Sequence, residues 1–160
     1  LALLLTINRI PQLYYGTEVL MNGTKEVTDG NVRCDFPGGF AGDKHNAFTA
    51  EGRTKAENSM FNWLSKLLKW RRNNMVITKG KQIQFIPYKG VYVIARQWND
   101  QTILTILNGT SQPVTLPLDR YAEVIGNHQE AKDVISGRKV KLGSELQLKA
   151  RDTKVIELSM

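Results

Sequence analysis

From residue 82 to residue 158 the chain is a succession of short apolar stretches, each closed by a turn signal. No other feature restricts the possible folds as much. Gln82–Tyr88 and Val91–Trp98 flank Lys89-Gly90, where glycine supplies the positive φ that a tight hairpin turn needs. Asn99-Asp100-Gln101 turns the chain into Thr102–Leu107. Val114–Leu116, Tyr121–Ile125, Asp133–Ile135, Lys139–Leu142, Leu146–Leu148 and Val155–Leu158 continue the alternation. Repeated short strands at this spacing predict an antiparallel β-sandwich.

The first half has a different composition, and the change falls at residues 73–80. Thr54-Lys55-Ala56-Glu57 is a capping box: the Thr hydroxyl reaches the Glu57 amide, and the Glu57 carboxylate reaches back. A helix is expected from there to about Asn73. Its core stripe is Met60, Trp63, Leu64, Leu67 and Leu68, with Phe61 at the edge. Leu1–Thr6 reads as the end of a buried helix. Asn8–Glu18 reads as a strand buried on both faces, with Pro11 tolerated near its start and Gly16 ending it. Between Val19 and Arg53 neither period persists, and glycine stands at positions 23, 30, 38, 39, 42 and 52. A loop this long in a compact fold is usually functional or disordered.

Within these segments, Ile10-Pro11-Gln12-Leu13-Tyr14-Tyr15-Gly16-Thr17-Glu18 resembles the eighth-strand signature of the α-amylase superfamily, glycoside hydrolase family 13. Arg9 departs from it, standing where that family usually has glycine. Arg33-Cys34-Asp35-Phe36-Pro37-Gly38-Gly39-Phe40, the helix ending Leu67-Leu68-Lys69-Trp70-Arg71-Arg72 and the β tail follow in the order of that family. The loop wording is most similar to the cyclomaltodextrinase and neopullulanase branch. The resemblance implies a mainly β chain: an antiparallel β-sandwich preceded by the last strand and helix of a (β/α)8 barrel. Residues 1–75 would be the barrel remnant and residues 76–160 the all-β domain. The chain is accordingly expected to be a C-terminal fragment of a retaining α-glucan hydrolase.

Retaining glycosidases need two carboxyl groups about 5–5.5 Å apart across the scissile bond. The resemblance puts the catalytic triad upstream of Leu1, so no residue here is given a catalytic role and the chain alone is expected to be inactive. What remains is substrate positioning at the carboxyl end of the strand, the face on which such barrels build their sites. Asp29 and Arg33 match an Asp-x-x-x-Arg pair that related cyclodextrin-acting enzymes place on donor-side sugars. A carboxylate accepts two sugar hydroxyls and a guanidinium donates in a planar fork; the plainer reading is a loop ion pair. Phe36 is the candidate for stacking on a sugar face, Phe40 being its alternative, although either ring can simply pack under the loop. Tyr15 and Glu18 are expected to orient loop backbone rather than touch sugar. The rival reading is a non-catalytic carbohydrate-binding or structural β-sandwich module.

Composition narrows the partners. The net charge of +7 invites a nucleic-acid reading. Lysine and arginine are nevertheless spread along the chain, and the densest cluster (Lys66, Lys69, Arg71, Arg72) sits at a helix C-terminus, where cations suit the dipole. No nucleic-acid partner is expected. The apolar run Leu1–Leu5 is far too short for a membrane span. Cys34 is the single cysteine, so no disulfide can form within the chain. His45 and His128 stand apart from other ligand residues in sequence, and no metal or cofactor is expected. The resemblance leaves room for calcium in the longer protein, but no residue here points to it. The expected partners are the rest of the barrel and an α-glucan oligosaccharide or cyclodextrin. The compartment is not fixed by the sequence, and the resemblance leans periplasmic over cytoplasmic. Asn22-Gly23-Thr24 and Asn108-Gly109-Thr110 fit the glycosylation pattern but read more simply as Asn-Gly turns.

Overall fold

A computed structural model describes residues 1–26 and 28–158. The chain divides into two compact units: Leu1–Pro11 with Leu67–Met160, and Gln12–Lys66.

The first unit is built on a six-stranded antiparallel sheet. Its strands, in chain order, are β1 (Lys81–Gln84), β2 (Val91–Trp98), β3 (Gln101–Asn108), β5 (Glu130–Asp133), β6 (Lys139–Lys141) and β8 (Thr153–Leu158). Their spatial order is β1-β2-β3-β8-β5-β6. A second, two-stranded sheet pairs β4 (Val114–Pro117) with β7 (Glu145–Leu148). Alternation decides what each strand buries. Val91, Val93 and Ala95 of β2, Leu104 and Ile106 of β3 and Ile156 and Leu158 of β8 share one core with Leu116 of β4 and Leu146 and Leu148 of β7. Two sheets therefore close on one apolar layer, and the mainly β antiparallel fold read from the sequence is present.

β2 and β3 are buried on their second face as well, since Ile94, Arg96, Ile103 and Thr105 are all almost inaccessible. Short helices pack there: α1 (Ala2–Thr6) against β3, and α3 (Met75–Lys79) against β2 and β3. A near-continuous apolar run such as Val91–Ala95 or Ile103–Ile106 is what a strand covered on both sides requires. The turns follow the expected chemistry. Lys89 and Gly90 both have positive φ in the β1–β2 connection, and Asn99 does so between β2 and β3.

The helix α2 (Lys55–Arg72), whose first twelve residues belong to the second unit, begins at the predicted capping box. Thr54 N donates to Glu57 Oε2 at 2.7 Å, and Glu57 N donates to Thr54 Oγ1 at 3.3 Å. Of its expected stripe, Leu64 and Leu67 are buried and Met60 and Trp63 half-buried, but Leu68 is exposed.

Five local readings change. The strand read at Gln82–Tyr88 is Lys81–Gln84, and beyond it Tyr88 makes only an isolated bridge to Val91. Asn8–Glu18 is not a buried strand: no ladder pairs it among the described residues, Ile10 is 96% exposed, and Thr17–Val19 is a 3-10 turn. A strand needs a neighbour for its amides, and this segment has none here. Tyr121–Ile125 is helical, a 3-10 turn (Asp119–Tyr121) running into α4 (Ala122–Ile125). The buried residues Tyr121, Val124 and Ile125 stand at i, i+3 and i+4, a helical rather than an alternating period. The strand expected at Asp133–Ile135 lies at Glu130–Asp133 instead. Helix α3 was not anticipated; Asn74 starts it by accepting from Ile77 N at 3.3 Å, the usual N-cap bond.

Candidate functional site

The loop that follows Tyr14-Tyr15-Gly16 is held by specific bonds. Gly16 has φ of 82°, a conformation available to glycine at little cost, and this turns the chain sharply after the tyrosine pair. The two tyrosine rings lie 4.6 Å apart and both are exposed. Tyr15 OH donates to Cys34 O at 2.7 Å. Desolvation raises the Tyr15 phenol pKa, with Tyr14 adding to the effect, so the phenol stays protonated and a donor. Its bond fixes the backbone one residue beyond Arg33. Beside the pair is a cavity of about 280 Å³, bordered by Tyr14, Tyr15, Met21, Asn22, Val32 and Cys34.

Asp29 and Arg33 bracket a single 3-10 turn, Asp29–Val32, and both side chains are exposed. The Asp29 carboxylate lies 3.4 Å from Lys25 Nζ, with 60% and 72% of the two side chains exposed. A pair that open to water stabilises little. Asp29 is therefore engaged with the residue four before it, and Arg33 extends from the end of the turn. Glu18 sits half-buried in the Thr17–Val19 turn.

Phe36 is half-buried against Phe48, ring centroids 4.7 Å apart, while Phe40 and Phe48 are 68% and 63% exposed. The exposed aromatic surface of this loop is thus carried more by Phe40 and Phe48 than by Phe36. Nothing in the sequence distinguished Phe48. Ala47 N donates to Pro37 O at 2.9 Å, closing residues 37–47 into a loop of their own.

This loop is tied to the start of α2. Arg53 donates to Asn58 Oδ1 at 2.9 Å and to Ala47 O at 3.3 Å, and its guanidinium lies 3.8 Å from the Phe61 ring centre. Asn58 Nδ2 donates to Ala50 O at 2.7 Å. His45 is not isolated, since its Nε2 is 3.0 Å from Glu57 Oε2. Glu57 thus serves both the helix cap and the loop. Its pKa is lowered, first by the Thr54 backbone amide and further by His45. Arg53 and Asn58 went unnoticed in the sequence, and His45 was read as standing apart, because their partners are loop carbonyls, a side-chain amide and a capping carboxylate, which no spacing rule reveals. Among the described residues, no three His, Cys, Asp or Glu side chains come together in a way that could hold a metal ion.

The glycosylation pattern at Asn108 resolves as a turn. Asn108 is 3% exposed, and its side-chain amide donates to Gln112 O and Lys149 O at 2.8 Å each.

With this geometry described, comparison with known proteins is informative. Residues 82–157 match the family model of the cyclo-malto-dextrinase C-terminal domain. Residues 82–157 are thus similar to the C-terminal domain of a cyclo-malto-dextrinase. That matched region contains the eight strands of the described residues, except the first residue of β1 and the last of β8. A cyclomaltodextrin glucanotransferase of Geobacillus stearothermophilus is 26% identical over 160 residues, covering 95% of this chain and 19% of the relative. The α-amylase of Geobacillus thermoleovorans, solved with acarbose, superposes with a TM-score of 0.73 at 22% identity, over 99% of this chain and 32% of that one. AmyP in complex with maltose superposes with a TM-score of 0.71 at 15% identity, over 99% of this chain and 33% of that one. The chain thus spans about a fifth of the curated relative and about a third of the solved ones.

Proposed function

We propose that this chain works as part of a longer retaining α-glucan hydrolase of the cyclomaltodextrinase or neopullulanase type, in which its loop positions sugar and other segments supply the catalytic carboxylates. The observation that carries the reading is Tyr15. Its phenol holds the backbone beside Arg33, an exposed residue whose chain neighbours Val32 and Cys34 border a cavity with two exposed tyrosines. Guanidinium forks and aromatic faces are the groups that hold a hydroxylated ring. The relatives support the substrate class, one being a cyclomaltodextrin glucanotransferase and one an α-amylase solved with acarbose. In this reading Asp29, Arg33 and the Phe36 loop bind substrate, and Tyr15 and Glu18 position the loop.

The test is kinetic, in the longer enzyme. Arg33→Ala should lower kcat/KM on a cyclodextrin roughly ten- to a hundred-fold, the loss of one charged hydrogen-bonding group at about 1.5–3 kcal/mol. The loss should shrink on maltotriose, which is too short to reach a subsite away from the cleaved bond. Asp29→Ala should show the same dependence more weakly. Equal effects on long and short substrates would remove both residues from the site.

A further inference from the structure

The first unit carries a second, separate concavity of about 360 Å³, at the low end of the size range of small-molecule sites. It lies on the sheet face opposite the two-sheet core. Its walls are the α2–α3 corner (Asn73, Asn74), the start of β3 (Gln101, Ile103), Lys132 on β5 and Glu157 on β8. We propose that this groove is a binding site for a neutral hydroxylated ligand, a glucosyl unit of an α-glucan, distinct from the loop site. The choice of glucan rests on the α-glucan reading above.

Four observations argue for it. Glu157 is built in rather than solvated: its Oε1 accepts from Trp70 Nε1 at 2.6 Å and from Asn74 Nδ2 at 3.0 Å. Both donors fall on one oxygen, so among the described residues Oε2 is left to accept from a ligand. Lys132 stands directly across from Glu157 in the β5–β8 ladder and so shares its face. The two charges cancel, which disfavours a charged ligand of either sign. The amides of Asn73 and Gln101 add donors and acceptors in equal number, as a ring of hydroxyls requires. Val76 and Ile103 supply an apolar base for the C–H face of a sugar.

The test is a titration of the 160-residue chain with maltotriose, followed by amide chemical shifts. Saturable shifts are expected at residues 73–76, 101–103, 132 and 157–158. Gln101→Ala combined with Lys132→Ala should weaken this binding roughly tenfold, two hydrogen bonds being lost. Both side chains are exposed, so the remaining spectrum should be unchanged. Absence of saturable shifts at these residues overturns the proposal, as does equal binding by the double variant. Shifts confined to residues 14–34 also overturn it, while leaving the loop reading intact. Arg33 kinetics test that loop reading independently of this groove.

Discussion

Arg96 has no exposed surface, and among the described residues no carboxylate pairs with it. Its guanidinium donates instead to Thr6 O at 3.0 Å and Gly80 O at 2.7 Å. Thr6 ends α1 and Gly80 follows α3, so one side chain satisfies terminal carbonyls of two helices. Such carbonyls have no partner within their own helix, and the helix dipole there favours a cation. Arg71 adds a bond to Leu5 O at 2.6 Å, which places part of the basic cluster in structural service rather than in a solvated patch. Burial, then the nearby Arg71, lowers the Arg96 pKa, yet arginine remains charged at any ordinary pH. Arg96→Met would orphan both carbonyls at about 1–3 kcal/mol each, partly offset by removing a desolvated charge. A net loss of about 2–4 kcal/mol is expected, against about 1 kcal/mol for Thr105→Val, which removes only the 2.9 Å bond to the Thr6 hydroxyl. Urea midpoints compare the two. If Arg96→Met unfolds at the wild-type midpoint, the guanidinium is not what holds these helices to the sheet.

At the scale of one element, the start of α2 is the informative case. Thr54→Ala removes the hydroxyl cap and should cost about 1 kcal/mol in unfolding free energy. Glu57 makes the same cap pH-dependent. Its pKa is lower in the folded chain than unfolded, so its stabilisation is complete above the unfolded carboxylate value and is lost as pH falls through the folded one. The His45 ring faces the same carboxylate at 3.0 Å, so the loop loses a partner when Glu57 is protonated. Glu57→Gln should therefore flatten the acid limb of stability against pH. It should also speed amide exchange around residues 45–54, because the loop and the helix share that carboxylate. An unchanged acid limb in Glu57→Gln would assign the pH dependence elsewhere.

For the molecule as a whole, the two-faced burial of β2 and β3 decides what can be removed. The strands pair among themselves, and an isolated domain 76–160 follows from the sequence as a self-sufficient sheet. In the structure Ile94, Arg96, Ile103 and Thr105 lie on the face packed by α1 and α3, and α1 is absent from that shorter chain. The face buried under Leu5 and Thr6 would open to water, at about 25 cal/mol for each Å² of apolar surface exposed. The 76–160 chain should keep strand signal in far-ultraviolet circular dichroism. It should nonetheless unfold at clearly lower urea than the 160-residue chain and bind a hydrophobic dye. Equal urea midpoints would show that α1 contributes nothing to the sheet.

The sequence alone determined the parts governed by neighbours in the chain. Val91–Trp98 is an apolar-rich run bounded by Lys89-Gly90 and Asn99-Asp100, so β2 falls where it was read, residue for residue. The α2 cap was legible for the same reason: Thr54 and Glu57 satisfy one another over three residues. The antiparallel β fold followed from many such short segments, and the Tyr14–Glu18 and Arg33–Phe40 wording pointed to the family. Tertiary structure decided what depends on partners far along the chain. Asn8–Glu18 has strand composition but no ladder among the described residues, since pairing belongs to two segments and not one. Tyr121–Ile125 has apolar residues compatible with either period, and the choice went to the one that buries Tyr121, Val124 and Ile125 together. Arg96, Trp70 and Glu157 gave no sequence signal, because their partners stand 16 to 90 residues away and are mostly backbone carbonyls or amides. Local patterns encode periodicity and caps; the placement of a buried charge is set only when distant helix ends meet the sheet.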